Sequence, residues 1–294
     1  MSTSPVVGPA DVNGWTWDVT LFAGTAEHYE RGRLPYAPGL DEAVARLHPG
    51  HVGSGRLLDV GCGPGTLTFL LRYLFAEVVG IDPDPGMIHE ARRRATEAGV
   101  TGVEFVQARA EDLPLGLGTF TVAAFGQSFH WMDRQRVATT VYGMLPPGGL
   151  FIQVSDRKDA PPPDTSGQAD PVPPYDRIHE LVRAHLGPVR RAGRGVLPNG
   201  TPGGEAAVLA RTGFGEPERI VIPAGQIVLR TPDDVVSWVH SRSDSAPALF
   251  GEGLETFDEE LRALLHVVAP GGRFAEPLPA SEIIVWRRPP ILSS

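Results

Sequence analysis

An α/β fold, a doubly wound and mostly parallel sheet, is what residues 56–155 predict, on three observations. Short apolar runs (RLLDV, EVVGID, VEFVQAR, FTVAAFG, LFIQVS) alternate with segments of helical period. This interval sets parallel strands side by side and sends helices over both faces. The first run breaks into the glycine-rich GCGPG just before a helix, and the second run ends on Asp82. A glycine turn and an acidic strand end mark the ligand-binding edge of such a sheet.

The elements follow in order. RLLDV is a short apolar run suited to a buried strand. TLTFLLRYLF then places Leu67, Leu70, Leu71 and Leu74 at helical spacing. After EVVGID, Asp84 is placed to cap a helix, Pro85 suits its first turn and Gly99 its end. VEFVQAR is the third strand and FTVAAFG the fourth; the latter runs through FGQSFHWMD into a helix reaching Val141, and LPPGG turns into LFIQVS. The rhythm breaks at residues 158–174, whose six prolines lack apolar periodicity and predict a linker or mobile loop. YDRIHELVRAHLG is helical in pattern, and PERIVIPAGQIVLR reads as a sixth strand with a break. TPDDVVSWVH opens a helix with Thr231 as cap, and Leu254, Phe257, Leu261, Leu264, Leu265 and Val268 line another. SEIIVWRR returns to strand character. The expected organisation is therefore an N-terminal helical segment (1–50), a core (51–157), a linker and cap (158–212), a core strand (213–230), cap helices (231–280), and a final strand and tail (281–294).

Charge and composition narrow the partners. A formal net charge of −9 argues against a phosphate-backbone partner, which needs clustered positive charge. A small-molecule partner is expected, with a homo-oligomer left open. One cysteine, Cys62, allows no intrachain disulfide framework. Neither a basic-then-apolar leader nor a long apolar span is seen, so no membrane association and a cytoplasmic place are expected.

The glycine turn carries the chemistry. In LLDVGCGPG, Gly61, Gly63 and Gly65 let the chain turn tightly and let a ligand approach helix amides closely. Asp82 stands at the spacing where a carboxylate accepts both ribose hydroxyls, which points to a nucleoside. The spacing is G-x-G-x-G, not the dinucleotide G-x-G-x-x-G, and no lysine-serine pair follows. Asp59 in the turn repels a pyrophosphate but suits an amino group, which favours a ligand with an aminoacyl end. The competing reading is a plain strand-to-helix turn.

LLDVGCGPG, VVGIDPDPGMIHEAR, QARAEDLP, FHWMD and LPPGG stand in the order found in class I S-adenosylmethionine-dependent methyltransferases, and residues 20–156 resemble the UbiE-like or type 11 group. The resemblance implies a Rossmann-like, seven-stranded, mostly parallel sheet with a helical cap, and S-adenosyl-L-methionine as cofactor with S-adenosyl-L-homocysteine as product. It implies that Asp59, Gly61 and Gly63 hold the methionyl end and Asp82 the ribose. Pro83 or Met87 would flank the adenine, with Ala110 and Glu111 near its edge and Gln127 contributing polar contacts. Two positions depart from the group: Arg109 stands where many relatives carry Asp, and Thr121 follows Phe120 where Asp is usual.

On the acceptor side, FAGTAEHYERGRLPYAP resembles the N-terminal segment of the same group and brings Tyr29, Arg33 and Tyr36. An arginine there pairs with the cofactor carboxylate, Arg31 being the alternative to Arg33, and Tyr36 lines the transfer cleft. A helix packed over the sheet edge is the competing reading. Trp131 is expected as an apolar wall. His130, just after the fourth strand, is the candidate general base, with cleft lining and core packing as its alternatives; His28 and His240 are weaker candidates. Arg190, Arg191 and Arg194 form a basic island that fits an acidic acceptor or a solvated surface. No metal site is read. The expected activity is methyl transfer to an O, N or C atom of a small molecule, in keeping with specialised metabolism. The alternatives are a methyltransferase fold whose cofactor serves cyclisation or hydroxylation, and a non-catalytic cofactor-binding module.

Overall fold

The computed structural model describes residues 20–48, 50–157, 167–188, 191–192, 195–196 and 204–290. Residues 158–166 of the expected linker lie outside this set, as do Arg190, Arg194 and the side chain of Arg191.

The chain begins with helices α1 (Ala26–Gly32) and α2 (Leu40–Leu47). Four β-α units and a fifth strand follow: β1 (Arg56–Val60), α3 (Thr66–Leu71), β2 (Glu77–Asp82), α4 (Pro85–Glu97), β3 (Val103–Gln107), β4 (Val122–Gly126), α5 (Arg134–Met144) and β5 (Leu150–Asp156), where a 3-10 turn over Ala110–Asp112 replaces the helix after β3. The later elements are α6 (Tyr175–Leu186), a two-residue pair β6 (Arg191–Ala192) and β7 (Gly195–Val196), α7 (Glu205–Thr212), β8 (Glu218–Ile222), β9 (Ile227–Arg230), α8 (Pro232–His240), α9 (Pro247–Phe250), α10 (Leu254–Val268), β10 (Phe274–Pro277) and β11 (Ser281–Arg287). Seven strands form the main sheet in the order β3-β2-β1-β4-β5-β11-β8. β1 to β5 pair in parallel, and β11 runs antiparallel to both β5 and β8. This is the mostly parallel Rossmann-like sheet that the sequence predicts.

The central strands are apolar throughout because both faces are covered. Alternate residues of β1 enter different cores: Leu57 packs with Leu67 and Leu71 of α3, and Leu58 with Val137, Ala138 and Val141 of α5. On the α5 side Phe125 stacks on Phe151, with ring centroids 4.3 Å apart. Each such fully buried side chain contributes about 1.5–3 kcal/mol. Since α3 and α5 leave β1 and β4 for opposite faces, the loops after these neighbouring strands diverge and open a crevice.

One strand differs from expectation. PERIVIPAGQIVLR divides: β8 stays on the sheet edge, while β9 leaves it and pairs antiparallel with β10. Pro223, at the break, has no N–H to donate to a ladder, and Gly225 lets the chain turn away. A third apolar cluster joins α6, α8, α9 and α10 around Ile178, Val235, Phe257 and Leu261. α1 packs along α8, and Gly32 is the contact that permits it, since a Cβ there would lie 2.4 Å from the Ser237 carbonyl.

Candidate cofactor and acceptor site

The loop after β1 is wound through left-handed backbone, with φ of +71° at Gly61, +52° at Gly63 and +85° at Gly65. Glycine alone adopts these angles without strain. The amides of Gly61 and Cys62 both donate to the Ile81 carbonyl, at 2.8 and 2.9 Å. Across the crevice, the Ser128 hydroxyl donates to the Val60 carbonyl at 2.5 Å. A Cβ at Gly61 would sit 2.6 Å from that of Ser128, so this glycine keeps the two loops in contact. Gly65 lies away from the crevice, against the Phe69 ring.

Two carboxylates flank the loop. Asp59 is fully buried; its Oδ2 accepts from the Thr68 hydroxyl at 2.5 Å, and its Oδ1 is buried with no partner among the described residues. Burial pushes its carboxyl up to about 6, against the pull of the Thr68 hydroxyl. Asp82 accepts from the amides of Gly63 and Asp84, both at 2.9 Å. Burial pushes it up to about 7. Each of its oxygens keeps a second lone pair for a ligand hydroxyl.

Two cavities meet at the loop. The first, about 650 Å³, is walled by Phe22, Met87, Trp131 and Met132, with Asp82, Pro83, Ala110 and Glu111 along its side. The second, about 730 Å³, is more polar and takes in Asp59, Arg33, Tyr36, Asp156 and Trp238. Tyr29, Gly61, Gly63, Gly126 and Gln127 line both, so the two form one cleft. The Phe22 and Trp131 rings meet edge to face at 5.5 Å. Glu111 is buried, and its Oε1 accepts from the Asp133 amide at 2.7 Å. Arg109, the departure noted in the sequence, lines the first cavity and approaches Glu111 at 3.6 Å. The other departure, Thr121, exchanges two hydrogen bonds with the Arg56 backbone through its hydroxyl and ties the start of β4 to β1.

This cleft gathers Tyr29, Arg33, Tyr36, Asp59, Gly61, Gly63, Asp82, Pro83, Met87, Ala110, Glu111, Gln127 and Trp131. Trp131 stands in the first cavity, beside Met87, and not in the second. His130 lines neither; it faces a third, polar recess with Ser155, Arg157, Arg219 and Glu282. Gln127 and Asp156, joined by a 3.0 Å hydrogen bond, stand between that recess and the second cavity. Arg31 is engaged elsewhere, pairing with Asp234 at 2.7 Å, so Arg33 is the arginine of the cleft. His28 and His240 pair with each other at 5.1 Å between ring centroids and line none of these cavities.

Asp156 was legible by the logic that finds Asp82, since it too ends a strand at the crevice edge. Trp238 was not, for nothing local marks a helix residue that reaches the cleft only through tertiary packing. Among the described residues no cluster of His, Cys, Asp or Glu suits a metal.

The residues fit the group that the sequence implies. An orphaned carboxylate oxygen suits an ammonium, a second carboxylate held by two amides suits paired hydroxyls, and the apolar walls suit a flat heteroaromatic base. The stretch that carries this site is similar to S-adenosylmethionine-dependent methyltransferase domains. Residues 58–153 match the family model described as a methyltransferase domain. The chain is 34% identical over 143 residues to an uncharacterized methyltransferase of Mycobacterium tuberculosis, covering 48% of this chain and 55% of the relative. It is 30% identical over 142 residues to the malonyl-[acyl-carrier protein] O-methyltransferase of Enterobacter lignolyticus, covering 48% of this chain and 54% of that protein. The chain thus spans about half the length of these relatives. Among solved structures, the YcgJ protein of Bacillus subtilis aligns with a TM-score of 0.49 at 18% identity, over 85% of this chain and 97% of that one.

Proposed function

We propose that the protein transfers a methyl group from S-adenosylmethionine to an O, N or C atom of a small molecule, in keeping with a cytoplasmic enzyme of specialised metabolism. The observation that carries this reading is the buried, partnerless Asp59 Oδ1 beside the second cavity, with Asp82 lining the first and the glycine loop joining the two into one cleft. Asp59 would hold the methionyl ammonium, Arg33 its carboxylate and Asp82 the ribose, with the base against Met87 and Ala110. When bound, the cofactor supplies a methyl group on a sulfonium for in-line displacement.

The chain's own part is alignment and exclusion of water. Tyr29 and Gln127, on the boundary of the two cavities, would flank the transfer point. Tyr36 keeps its proton, because burial pushes its phenol well up, and so would donate a hydrogen bond rather than accept a proton. His130 would act as a base only for an acceptor that extends past Gln127 and Asp156 into the polar recess. Among the described residues no helix is long and apolar enough to cross a membrane.

Incubation with S-adenosylmethionine and a panel of phenols, amines, carboxylic acids and carbon acids tests the reading. It expects S-adenosylhomocysteine to form one-for-one with a methylated product. Tight binding without turnover across the panel would contradict it. For a hydroxyl acceptor with His130 as base, His130→Ala should lower kcat by roughly 10²–10⁴-fold at neutral pH and recover part of the loss at alkaline pH. An unchanged pH–rate profile removes His130 from the chemistry.

A further inference from the structure

We propose that Arg230, which lines none of the three cavities, is a positioning residue of the donor site, acting through Gly32 on Arg33. The inference rests on the cofactor reading above.

Arg230 closes β9 and is 3% exposed. Its Nη1 donates to Glu276 Oε2 of β10 at 2.8 Å. Its Nη2 donates to two carbonyls, that of Gly32 at the end of α1 (2.8 Å) and that of Asp234 in the first turn of α8 (2.6 Å). Glu276 is itself 7% exposed, and its other oxygen accepts from the Tyr175 hydroxyl of α6. One guanidinium thus ties together α1, α8 and the β9-β10 pair, and its carboxylate partner adds α6.

A buried ion pair is a weak source of net stability, because the cost of removing both charges from water offsets most of their attraction. What such a pair supplies is direction: planar N–H donors fixed on chosen acceptors. Here one acceptor is the carbonyl immediately before Arg33. The Arg33 guanidinium lies over the Tyr29 ring at 5.0 Å, and its Nη2 donates to the Ser241 carbonyl at the end of α8 at 3.0 Å. Its Nε is buried with no partner among the described residues. Arg33 is therefore held at both ends against α8, by its own side chain at Ser241 and by Arg230 at Gly32. The same clamp fixes α8, whose Trp238 stands beside Arg33 in the second cavity. Gly32 allows this closeness, since a Cβ there would lie 2.6 Å from the Trp238 amide. Losing the bond to Gly32 frees the last turn of α1 to shift and takes Arg33 out of register with Asp59 across the cavity.

Calorimetric titration of the full-length chain with S-adenosylhomocysteine tests this with Arg230→Lys, Arg33→Ala and the double variant. A lysine keeps a cation beside Glu276 but cannot reach both carbonyls, so R230K is expected to fold and to bind S-adenosylhomocysteine on the order of 10-fold more weakly. In the R33A background the same change should cost no further affinity, because the two residues act as one unit. Tyr175→Phe, which removes only the hydroxyl that steadies Glu276, should show the same non-additivity on a smaller scale, and it decides the matter if R230K does not fold. The inference is overturned if R33A binds as the wild type does, if R230K lowers the melting temperature but leaves affinity unchanged, or if the two losses add in full. A wild-type chain that does not bind S-adenosylhomocysteine defeats the donor-site reading itself, which is a different result.

Discussion

Asp59 and Asp82 are carboxylates that the fold buries, and their titration sets a pH dependence. Both carboxyls are raised, to about 6 and about 7, above their unfolded values. The folded chain therefore binds their protons more tightly than the unfolded chain does. The stability they lend is full below the unfolded values and is lost as pH rises through about 6 and about 7. Ligand binding runs the other way, because an ammonium and ribose hydroxyls need the ionised forms. Affinity for S-adenosylhomocysteine should weaken as pH falls from about 8 through about 7 to about 5.5, and calorimetry at those values checks it. A flat profile would mean that neither carboxylate meets the ligand. Asp82→Asn, which removes charge-assisted acceptance worth about 1.5–3 kcal/mol, should weaken binding by roughly 10–100-fold at alkaline pH. Both residues were legible as candidates because Asp59 stands just before the glycine turn and Asp82 ends its strand, a local signal. The environment that raises them was not, since Thr68 reaches Asp59 only once α3 is folded.

At the scale of elements, the alternation of strands and helices could be read because each element announces itself within its own residues. Asp84 caps α4 by accepting from the Met87 amide at 2.9 Å, and Thr231 and Asp234 form a reciprocal cap on α8, as their spacing predicts. The failures were contacts between distant segments. β10 contains Pro277, carries no strand pattern and exists only because β9 pairs with it. The docking of α1 on α8 depends on one glycine more than 200 residues from its partner. Gly32→Ala tests that docking. Its methyl group would sit 2.4 Å from the Ser237 carbonyl, and relieving the clash should destabilise the chain by about 1–3 kcal/mol, read as a lowered denaturation midpoint at unchanged slope. An unshifted midpoint would show that α1 does not rest on α8 in solution.

Across the whole molecule, the sheet places the cleft where β1 and β4 send their helices to opposite faces; the sequence marked the glycine turn and the strand ends, but not that β1 and β4 are neighbours. The helical layer of the third apolar cluster was expected as a cap, but not the residues it brings to the cleft, because an amphipathic pattern does not say which element its face covers. That layer contributes Trp238 and the Ser241 carbonyl to the neighbourhood of Arg33, so we read it as the cap over the acceptor. The second cavity draws on this layer through Trp238, whereas the glycine loop and Asp82 belong to the sheet, so the sheet's side of the cleft could be read from local sequence and the layer's side could not. The methyl transfer we propose would join the two halves. Reaction with S-adenosylmethionine isotopically labelled in its methyl group, followed by mass spectrometry of the acceptor, tests the central claim most directly. The account predicts that the acceptor gains the label one-for-one with S-adenosylhomocysteine. An acceptor converted without label, with the cofactor recovered intact, would contradict it.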